Sequence, residues 1–588
     1  MIKVSDYMME RLKEVYGVDC VFMVSGGGAM HLNDSVGKFI PYICNHNEQA
    51  SGICGEGYAR YDEKLAVVSV TTGPGGLNAL NGLFGSWTDS APVLFISGQV
   101  KYATCKASCP DIPLRQLGDQ EVDIISVVKP LTKYAEMIAD PKRAKYCLDK
   151  AVFEATHGRK GPVWLDIPQN VQAAMVDEKE LQEFTPPARP DYDLKIDKVI
   201  DCLKSAKRPL IVAGHGIRLS GTRKEFFDLL KKINVPVVTT FNGFDLIADD
   251  DFHYIGRIGT IGQRAGNFAL QNADCVLFLG TRNNIRQVSH NWENFAKRAF
   301  KIVVDIDESE LKKPLVRPDL AVCADLADFL PALVEKSPQI ESSDWLKWCR
   351  ERKAKFDFAH TPEYQQTGDK INAYAFIHAV QKAMKADDIC VMANATATIC
   401  TFQTAEIKSG QRIFSNSGDA SMGYDLPAAI GACLASDRKN TVCLAGDGSI
   451  MMNLQELQTI KHHNLPIKIF VINNDGYISI KQTQNNFFEG RHCGDGRNSG
   501  VSTPDFVKVG EAFGIKSVKL TDPNKVDEMI KAVLAANEPV LCEVVVNPDY
   551  TFSPKLSARK LPDGTMVSPS LEDMFPFLDR DEFKRNMI

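Results

Sequence analysis

Residues 446–475 read GDGSIMMNLQELQTIKHHNLPIKIFVINND and open with an acidic residue held between two glycines. The preceding run NTVCLA is apolar enough for a buried strand, and a second apolar run, IKIFVI, ends at an Asn-Asn pair. Apolar residues between the runs recur at helical spacing, at Leu454, Leu457 and Ile460. The segment therefore predicts a strand, a helix and a parallel strand. The carboxyl ends of parallel strands lie along one edge of a sheet, so Asp447 and Asn474 are expected to meet there.

A glycine-rich turn beside oxygen ligands indicates a metal ion and a phosphate group. The turn at Gly446 and Gly448 exposes backbone N–H groups, which suit phosphate binding. The Asp447 carboxylate would repel bound phosphates unless a divalent cation lay between them. Mg²⁺ commonly takes one or two protein oxygens together with substrate phosphates. The spacing thus predicts that Asp447 and Asn474 bind one Mg²⁺ beside one diphosphate.

Short apolar runs rich in Val and Ile alternate with helical stretches along the whole chain. They are LAVVSV, APVLFISG, GPVWLDI, RPLIVAG, NVPVVTT, CVLFLG, FKIVVDID, NTVCLAGDG, PIKIFVINN and EPVLCEVVV. This alternation is typical of parallel sheets covered by helices on both faces. We predict an α/β protein with three doubly wound parallel-sheet domains. Proline-containing linkers at 183–193 and 336–345 separate the predicted domains, 1–183, 194–335 and 346–550, and a C-terminal arm follows at 551–588.

Composition and charge argue against several classes of function. The 588 residues carry a formal net charge of −6 without a long Lys/Arg block, so no nucleic-acid partner is expected. The N-terminal segment MIKVSDYMMERLKEVYGVDCVF has neither a signal-peptide core nor a membrane-spanning run, which favours a cytoplasmic protein without a membrane partner. Sixteen cysteines without a repeated C-x-x-C spacing predict reduced thiols rather than disulfides or a zinc site.

Longer stretches resemble one enzyme family. They are VFMVSGGGAMHLNDSV, CNHNEQASGICGEGYAR, VVSVTTGPGGLNALNGLFGSWTDSAPVLFISGQV and FSNSGDASMGYDLPAAIGA. With the Gly-Asp-Gly segment, they make the whole chain resemble the acetohydroxyacid (acetolactate) synthase branch of thiamine-diphosphate enzymes. The resemblance implies that 1–183 binds the cofactor's pyrimidine, 194–335 is the family's central flavin-type domain, and 346–550 binds diphosphate and Mg²⁺.

The resemblance also implies roles for individual residues. Glu48 would bond the N1′ atom of the aminopyrimidine, Met422 would bend the cofactor, and the Ala420 carbonyl would accept from its amino group. The implied metal ligands are Asp447, Asn474 and Gly476. The implied catalytic set is Glu48, Met422, Gln120, His31 and Gln482. The implied cofactor-binding set is Gly26, Gly27, Glu48, Pro74, Asn78, Thr396, Thr398, Ala420, Met422, Gly446, Asp447, Gly448, Ser449, Asn474, Gly476, Tyr477 and Ile478.

The expected reaction follows from the same resemblance. It is decarboxylation of a 2-keto acid, with pyruvate as the expected donor, and carboligation of the two-carbon unit to a carbonyl acceptor. A non-ligating decarboxylase, a C–C hydrolase and a non-catalytic binding protein remain open. In this family, Glu48 and the diphosphate site that serve one active centre come from different subunits. A homodimer or homotetramer with its active site at the subunit interface is therefore expected.

Several positions depart from the synthase pattern. Thr483 and Ser479 stand where the synthases carry tryptophan and methionine, and Gln169 replaces a lysine. The three residues from Thr396 to Thr398 replace the synthases' Gly-Gln-His at the diphosphate. A histidine, His31, stands where proline is usual. At these positions the chain resembles synthase-like proteins associated with surface-sugar and nucleotide-sugar pathways. Polar side chains lining the substrate pocket would suit a hydroxylated acceptor.

Two further expectations concern the central domain and the arm. LIVAGHGI, VPVVTTFNG and LFLGTRNNIRQVS resemble the flavin-carrying domain, with Arg282 where relatives reach the dinucleotide. FNGFDLIADDD lacks the usual glycine-rich continuation, which leaves retained FAD, another nucleotide and an empty domain open. The arm is expected to fold over the active site or a neighbouring subunit and to exclude water.

Overall fold

Three parallel β-sheets of six strands each follow one another along the chain. The computed structural model describes residues 1–560 and 563–588, so Leu561 and Pro562 of the predicted arm lie outside the described residues. The inner strands are buried on both faces, as the apolar runs predicted. The predicted class, an α/β protein with three parallel-sheet domains, is confirmed.

The strands of the three sheets are numbered here in chain order. The first sheet contains β1 (Val21–Met23), β2 (Tyr42–Cys44), β3 (Ala66–Val70), β4 (Val93–Gln99), β5 (Tyr134–Met137) and β6 (Val163–Pro168). The second contains β7 (Pro209–Ala213), β8 (Val237–Thr239), β9 (Tyr254–Arg257), β10 (Cys275–Leu279), β11 (Phe300–Asp305) and β12 (Leu320–Cys323). The third contains β13 (Ile389–Met392), β14 (Arg412–Phe414), β15 (Thr441–Gly446), β16 (Ile467–Asn473), β17 (Lys516–Leu520) and β18 (Val540–Val545).

Helices cover both faces of each sheet. Those of the first domain are Val4–Glu14, Met30–Phe39, Glu48–Asp62, Pro74–Asn78, Leu80–Asp89, Ile124–Val128, Ala144–Thr156 and Gln169–Gln172. Those of the second are Ile196–Ser205, Gly216–Leu219, Arg223–Lys232, Arg264–Asn272, Ile285–Val288, Glu308–Lys312 and Leu326–Lys336. The remaining helices are Ser343–Lys355, Ala373–Ala383, Thr396–Thr404, Asp425–Ala435, Glu456–His462, Ile478–Phe487, Phe506–Ala512, Val526–Leu534 and Arg580–Arg585.

The strand order distinguishes the middle domain from the other two. The first sheet has the order β2-β1-β3-β4-β6-β5, and the third repeats it as β14-β13-β15-β16-β18-β17. The second has the order β9-β8-β7-β10-β11-β12. Counted from its own first strand this is 3-2-1-4-5-6, the order of dinucleotide-binding domains, whose ligands lie at the switch point between strands 1 and 4.

The first and third domains meet through two helices that follow the second strand of each sheet, Glu48–Asp62 and Asp425–Ala435. Glycines allow the close approach: a Cβ on Gly57 would lie 2.4 Å from the Ala428 oxygen, and one on Gly431 would lie 2.0 Å from the Cys54 oxygen. Both are shorter than van der Waals contact. The helix backbones therefore touch, with no room for a side chain between them.

One arginine ties all three domains together. Arg412, at the start of β14, donates from Nε to the Tyr61 carbonyl at 3.0 Å and from Nη2 to the Arg60 carbonyl of the first domain. Its Nη1 pairs with Asp245 of the middle domain, which Arg218 Nη2 also contacts at 3.1 Å. Burial alone would raise the pKa of Asp245, but the Arg218 and Arg412 guanidiniums hold it well below its usual range.

The C-terminal arm packs against the middle domain of its own chain. Arg264 Nη1 donates to the Met574 carbonyl at 3.2 Å, and Asn267 Nδ2 donates to the Leu571 carbonyl at 3.0 Å. The backbone N–H of Ile588 donates to Asn272 Oδ1 at 2.7 Å. The Arg264–Asn272 helix thus anchors the second half of the arm, which Arg352 and Lys355 of the Ser343–Lys355 helix also contact.

The close helix contact predicts that adding one methyl group at Gly431 will lower the stability of the protein. Gly431→Ala should lower the free energy of unfolding by about 1–3 kcal/mol, because the added Cβ forces the two helices apart. The matched control is Gly37→Ala in the Met30–Phe39 helix, where a Cβ would meet nothing within 4 Å. It should leave stability unchanged or raise it by up to about 1 kcal/mol through helix propensity. Urea unfolding compares the variants, and equal midpoints would contradict the packing argument.

Candidate active site

Glu48 begins the Glu48–Asp62 helix at the carboxyl edge of the first sheet. The cap of this helix is Asn47, whose side chain accepts from the Gln49 N–H at 2.8 Å, so Glu48 does not serve as the cap. Asn78 Nδ2 donates to Glu48 Oε2 at 3.0 Å. Asn78 ends the short Pro74–Asn78 helix that follows β3. The structure therefore brings Glu48, Pro74 and Asn78 together, leaving Glu48 Oε1 available to a ligand.

The remaining candidates of the first domain lie on neighbouring loops. Gln169 Nε2 donates to the Gly27 carbonyl at 2.9 Å, which links the end of β6 to the glycine turn that contains Gly26. A Cβ on Gly73 would lie 1.8 Å from the Gln120 oxygen, so the Gln120 loop presses on the turn before Pro74. His31 is half-buried on the Met30–Phe39 helix, and its ring has no hydrogen bond or ion pair among the described residues.

Asp447 follows β15, whose last residue is Gly446. Three backbone N–H groups donate to its carboxylate, from Gly448 at 2.8 Å, Asn474 at 3.2 Å and Gly476 at 2.9 Å. Burial raises the pKa of Asp447 to about 6, while these hydrogen bonds act to lower it. The bonds fix the carboxylate at the carboxyl edge of the third sheet, where the spacing predicted it.

Asn474 lies beside Asp447 and has an unsatisfied acceptor. Its Nδ2 donates to Thr396 Oγ1 at 3.1 Å, whereas its Oδ1 is buried without a hydrogen-bond partner. Buried amide oxygens are nearly always paired, so a missing partner indicates a ligand position. Gly476 has φ 125°, and a Cβ there would lie 2.2 Å from the Asp495 oxygen, so only glycine fits this turn.

The rest of the cofactor set surrounds this edge. A Cβ on Gly448 would lie 2.1 Å from the Tyr477 ring, which forms one wall beside the buried Ile478. Ser449 Oγ accepts from the Gly423 N–H at 2.9 Å, which holds the turn next to the half-buried Met422.

Two of the predicted contacts are already made within the chain. Ala420, with φ 59°, has a carbonyl that accepts from Asn394 Nδ2, so any cofactor amino group would share that oxygen. The Thr398 hydroxyl donates to the Ala393 carbonyl, whereas the Thr396 hydroxyl remains in contact with Asn474. Of the two threonines, Thr396 is thus the one placed beside Asn474.

Comparison with known proteins agrees with this arrangement along the chain. Residues 2–127 match the model described as "Thiamine pyrophosphate enzyme, N-terminal TPP binding domain". Residues 196–333 match the central domain of the same enzymes, and residues 394–544 match their C-terminal TPP binding domain. The chain belongs to the thiamine pyrophosphate enzyme family. It is therefore a thiamine diphosphate-dependent enzyme, and the predicted cofactor is confirmed to that extent.

The relatives of this thiamine pyrophosphate enzyme cover nearly all of it. The acetolactate synthase large subunit of Lactococcus lactis subsp. lactis is 31% identical over 563 residues, covering 94% of each chain. The acetolactate synthase isozyme 2 large subunit of Escherichia coli is 30% identical, covering 95% of this chain and 97% of its own. Acetolactate synthase 1 of Zea mays chloroplasts is also 30% identical, covering 92% and 85%. The predicted resemblance to acetolactate synthases is confirmed.

The donor set of this thiamine pyrophosphate enzyme suits Mg²⁺ bound to phosphate. In residues 1–560 and 563–588, no group of three or more His, Cys, Asp or Glu side chains could hold a metal. The edge instead offers one carboxylate, from Asp447, and the free amide oxygen of Asn474. A hard cation that completes its shell with backbone and phosphate oxygens fits this set. A zinc-type site, built from His and Cys, does not.

Sequence reasoning missed Tyr550, which follows β18. Its hydroxyl lies 2.5 Å from Thr396 Oγ1 and 3.5 Å from Asn474 Nδ2. The hydroxyls of Thr396 and Tyr550 both accept from the amide nitrogen of Asn474, which leaves Oδ1 on the opposite side of the amide without a partner. The position of Tyr550 gave a usable signal, since β18 pairs with β16 and their carboxyl ends share an edge.

In the part of the chain that the structure describes, no helix is long and apolar enough to cross a membrane.

We expect Tyr550→Phe to weaken binding of thiamine diphosphate with Mg²⁺ about tenfold. Loss of the hydroxyl removes a contact that orients Asn474, at a cost of about 1–2 kcal/mol. Tyr42→Phe is the matched control, because the exposed Tyr42 hydroxyl has no hydrogen bond within the described residues. Calorimetric titration with thiamine diphosphate and Mg²⁺ measures the cofactor affinity of both variants. Equal affinities in Tyr550→Phe and Tyr42→Phe would show that Tyr550 does not position the site.

Proposed function

We propose that this enzyme decarboxylates a 2-keto acid, with pyruvate as the donor, and transfers the two-carbon unit to a carbonyl acceptor. The observation that carries the proposal is the presence of both halves of the cofactor site in a chain that acetolactate synthases match almost end to end. One half is the Glu48–Asn78 pair, and the other is Asp447 with the unsatisfied Asn474 oxygen. A binding protein without catalysis would have no need for the Glu48–Asn78 pair.

The residues divide the work of this reaction. Thiamine diphosphate, when bound, supplies the nucleophilic carbon and the electron sink for cleavage of the carboxylate. Glu48 would hold or release a proton at N1′ of the aminopyrimidine, and Asn78 keeps the Glu48 carboxyl oriented for that exchange. Asp447, Asn474 and the Gly476 carbonyl would hold Mg²⁺ against the diphosphate. Met422 and the Ala420 carbonyl would set the position of the aminopyrimidine.

A second copy of the chain would complete the site. No hydrogen bond or ion pair between described residues joins the Glu48 group to the Asp447 group. Large exposed apolar side chains border both groups, namely Leu77, Phe84, Trp87, Met451 and Met452. A homodimer, or a tetramer of two dimers, would cover these side chains and bring Glu48 of one subunit to the diphosphate edge of the other.

The acceptor in this proposal is a hydroxylated ketone. Thr483 is exposed and Ser479 half-buried on the Ile478–Phe487 helix, which begins four residues after Asn474. Both offer hydroxyl groups where a purely apolar wall would favour an apolar acceptor. The half-buried ring of His31, without a partner among the described residues, adds a further polar group on the first domain. This arrangement fits the sugar-like acceptors that the sequence suggested.

Glu48→Gln should reduce decarboxylation of ¹³C-labelled pyruvate by at least about 10²-fold, the usual contribution of a positioned acid–base group. Thiamine diphosphate binding should persist, since the diphosphate edge is unchanged. Glu10→Gln, at an exposed residue of the Val4–Glu14 helix, is the matched control and should retain wild-type turnover.

Mass analysis of the products, with and without a panel of ketones and keto-sugars, separates the outcomes. Labelled two-carbon units on an acceptor support carboligation and identify that acceptor. Labelled acetaldehyde alone would replace the proposal with a simple decarboxylase. No CO₂ from any keto acid would favour a C–C hydrolase or a binding protein.

The middle domain is proposed to bind a nucleotide, with FAD as the first candidate. A cavity of about 1210 Å³ lies between the first and middle domains at the carboxyl ends of the middle strands. It includes the switch point between β7 and β10, where Gly214 and Gly280 touch: a Cβ on Gly214 would lie 2.1 Å from the Gly280 oxygen. Arg282 lines the cavity but bonds the Thr88 carbonyl and lies 3.7 Å from Glu310.

Nucleotide content is measured on the purified protein. After heat denaturation, the supernatant should contain a nucleotide, and a flavin absorption spectrum would identify FAD. Protein stripped of it should gain about 2.7 kcal/mol of stability at 100 times the Kd of the added nucleotide. Nicotinamide mononucleotide, which lacks adenine, is the control ligand. A protein that releases no nucleotide and gains no stability from FAD, ADP or ATP would have an empty middle domain.

A further inference from the structure

Lys555 lies where the C-terminal arm passes the third domain. Its backbone is fixed on both sides: the Lys555 N–H donates to the Phe575 carbonyl at 2.9 Å, and the Phe575 N–H donates back to Lys555 at 2.8 Å. The next residue, Leu556, donates to the Thr260 carbonyl at 2.9 Å. The side chain therefore starts from a rigid point, held by both the arm and the middle domain.

The charge of Lys555 has no counter-ion among the residues that the structure describes. Its Nζ donates to Gln482 Oε1 at 3.0 Å, and no carboxylate of the described residues lies within 4.0 Å. The side chain is half-buried, and burial lowers its pKa. Partly buried ammonium groups are usually paired with an acid, because the lost hydration must be replaced. A lysine held by a neutral amide alone has donor capacity to spare for an anion.

Gln482 directs this lysine toward the cofactor edge. It is buried on the Ile478–Phe487 helix, and its Nε2 donates to the Tyr550 carbonyl at 3.0 Å. With the nitrogen occupied, the amide oxygen can only face Lys555. The Tyr550 hydroxyl in turn contacts Thr396 and Asn474. Two sets of hydrogen bonds, one at the Tyr550 carbonyl and one at its hydroxyl, thus place Lys555 and the proposed metal ligand Asn474 on either side of the same residue.

We propose that Lys555, oriented by Gln482, binds an anionic oxygen group of the substrate, either a carboxylate or a phosphate. The inference rests on the proposed function, which places a 2-keto acid and its acceptor at this edge. An ammonium group has three N–H donors, and Gln482 uses one. The other two can bind two oxygens of one anion in a partly desolvated position, where charge-assisted hydrogen bonds are strong. Gln482 is a positioning residue in this arrangement, since its oxygen accepts from Lys555 of the arm and its nitrogen donates to the Tyr550 carbonyl just before the arm.

Paired probes show whether Lys555 recognises the charge of a substrate or only stabilises the fold. Each pair has an anionic member and a neutral member of similar shape: pyruvate with pyruvamide, and dihydroxyacetone phosphate with dihydroxyacetone. Lys555→Met keeps the length of the side chain and removes its charge. It should weaken binding of one anionic probe ten- to hundredfold, the range expected for hydrogen bonds to a charged group, and leave its neutral partner unchanged.

The pair that responds identifies the source of the anion. An effect confined to pyruvate assigns Lys555 to the donor carboxylate, and an effect confined to dihydroxyacetone phosphate assigns it to an anionic acceptor. Lys555→Arg should recover part of the lost affinity. Gln482→Met should raise the KM of the same anion with little change in kcat. Lys481→Met is the matched control, because the neighbouring Lys481 already pairs with Asp549 at 3.5 Å.

Binding is measured by calorimetry on a Glu48→Gln background loaded with thiamine diphosphate and Mg²⁺, so that no turnover is needed. A failure of the proposed reaction would then appear as missing products in the wild-type enzyme, while discrimination of the anion would still be visible here. If Lys555→Met binds all four probes as the Lys481→Met control does, the inference is wrong. It is equally wrong if affinity for charged and neutral probes falls together with the unfolding midpoint, since that pattern indicates a structural role.

Discussion

The contact between the Glu48–Asp62 and Asp425–Ala435 helices is the constraint on which the rest of the molecule depends. Gly57 and Gly431 leave no space for side chains, so the relative position of the first and third domains is set by backbone contact. Each helix also begins at a site residue or just after one: Glu48 is the first residue of one, and Met422 precedes the other by three positions. Third-domain Glu456 adds to the constraint by accepting from Asn45 and from the His46 N–H, two residues before Glu48. The packing that joins the domains therefore also fixes the local geometry of both halves of the site.

The sequence predicted the centre of each sheet better than its margins. All ten apolar runs that were expected to be strands are strands, because burial on both faces leaves a continuous Val- and Ile-rich signature. The strands that were missed have weaker signatures for physical reasons. Six of them, β2, β5, β9, β12, β14 and β17, lie at sheet edges, where one side lacks a partner strand. The other two, β1 and β13, are interior but span only three and four residues.

In the site, too, residues related by a local sequence pattern were predicted, and residues related only by long-range contacts were missed. The pairing of Asp447 with Asn474 could be read from spacing, because one helix and one strand fix where the second residue must lie. Asn394 and Lys555 could not, since each acts through a hydrogen bond to a residue of another segment, 26 and 73 positions away. Tyr550 was missed although its place after β18 gave a signal. Gln482 was expected to face a substrate, but its environment is set by the arm, which no periodicity connects to the Ile478–Phe487 helix. Contacts between segments that are far apart in the chain cannot be predicted from local sequence periodicity.

The shared strand order of the first and third sheets has a consequence for how such a chain arises. Equivalent strands are followed by equivalent helices, and those two helices are the pair that packs together between the two domains. Duplication of one ancestral gene segment, with a separate nucleotide-type fold inserted between the copies, would produce this architecture. In such a history the two copies would have changed at the same sheet edge, one to place Glu48 and the other to place Asp447 and Asn474. A single cofactor would thus be held by two descendants of one unit, each specialised for one end of it.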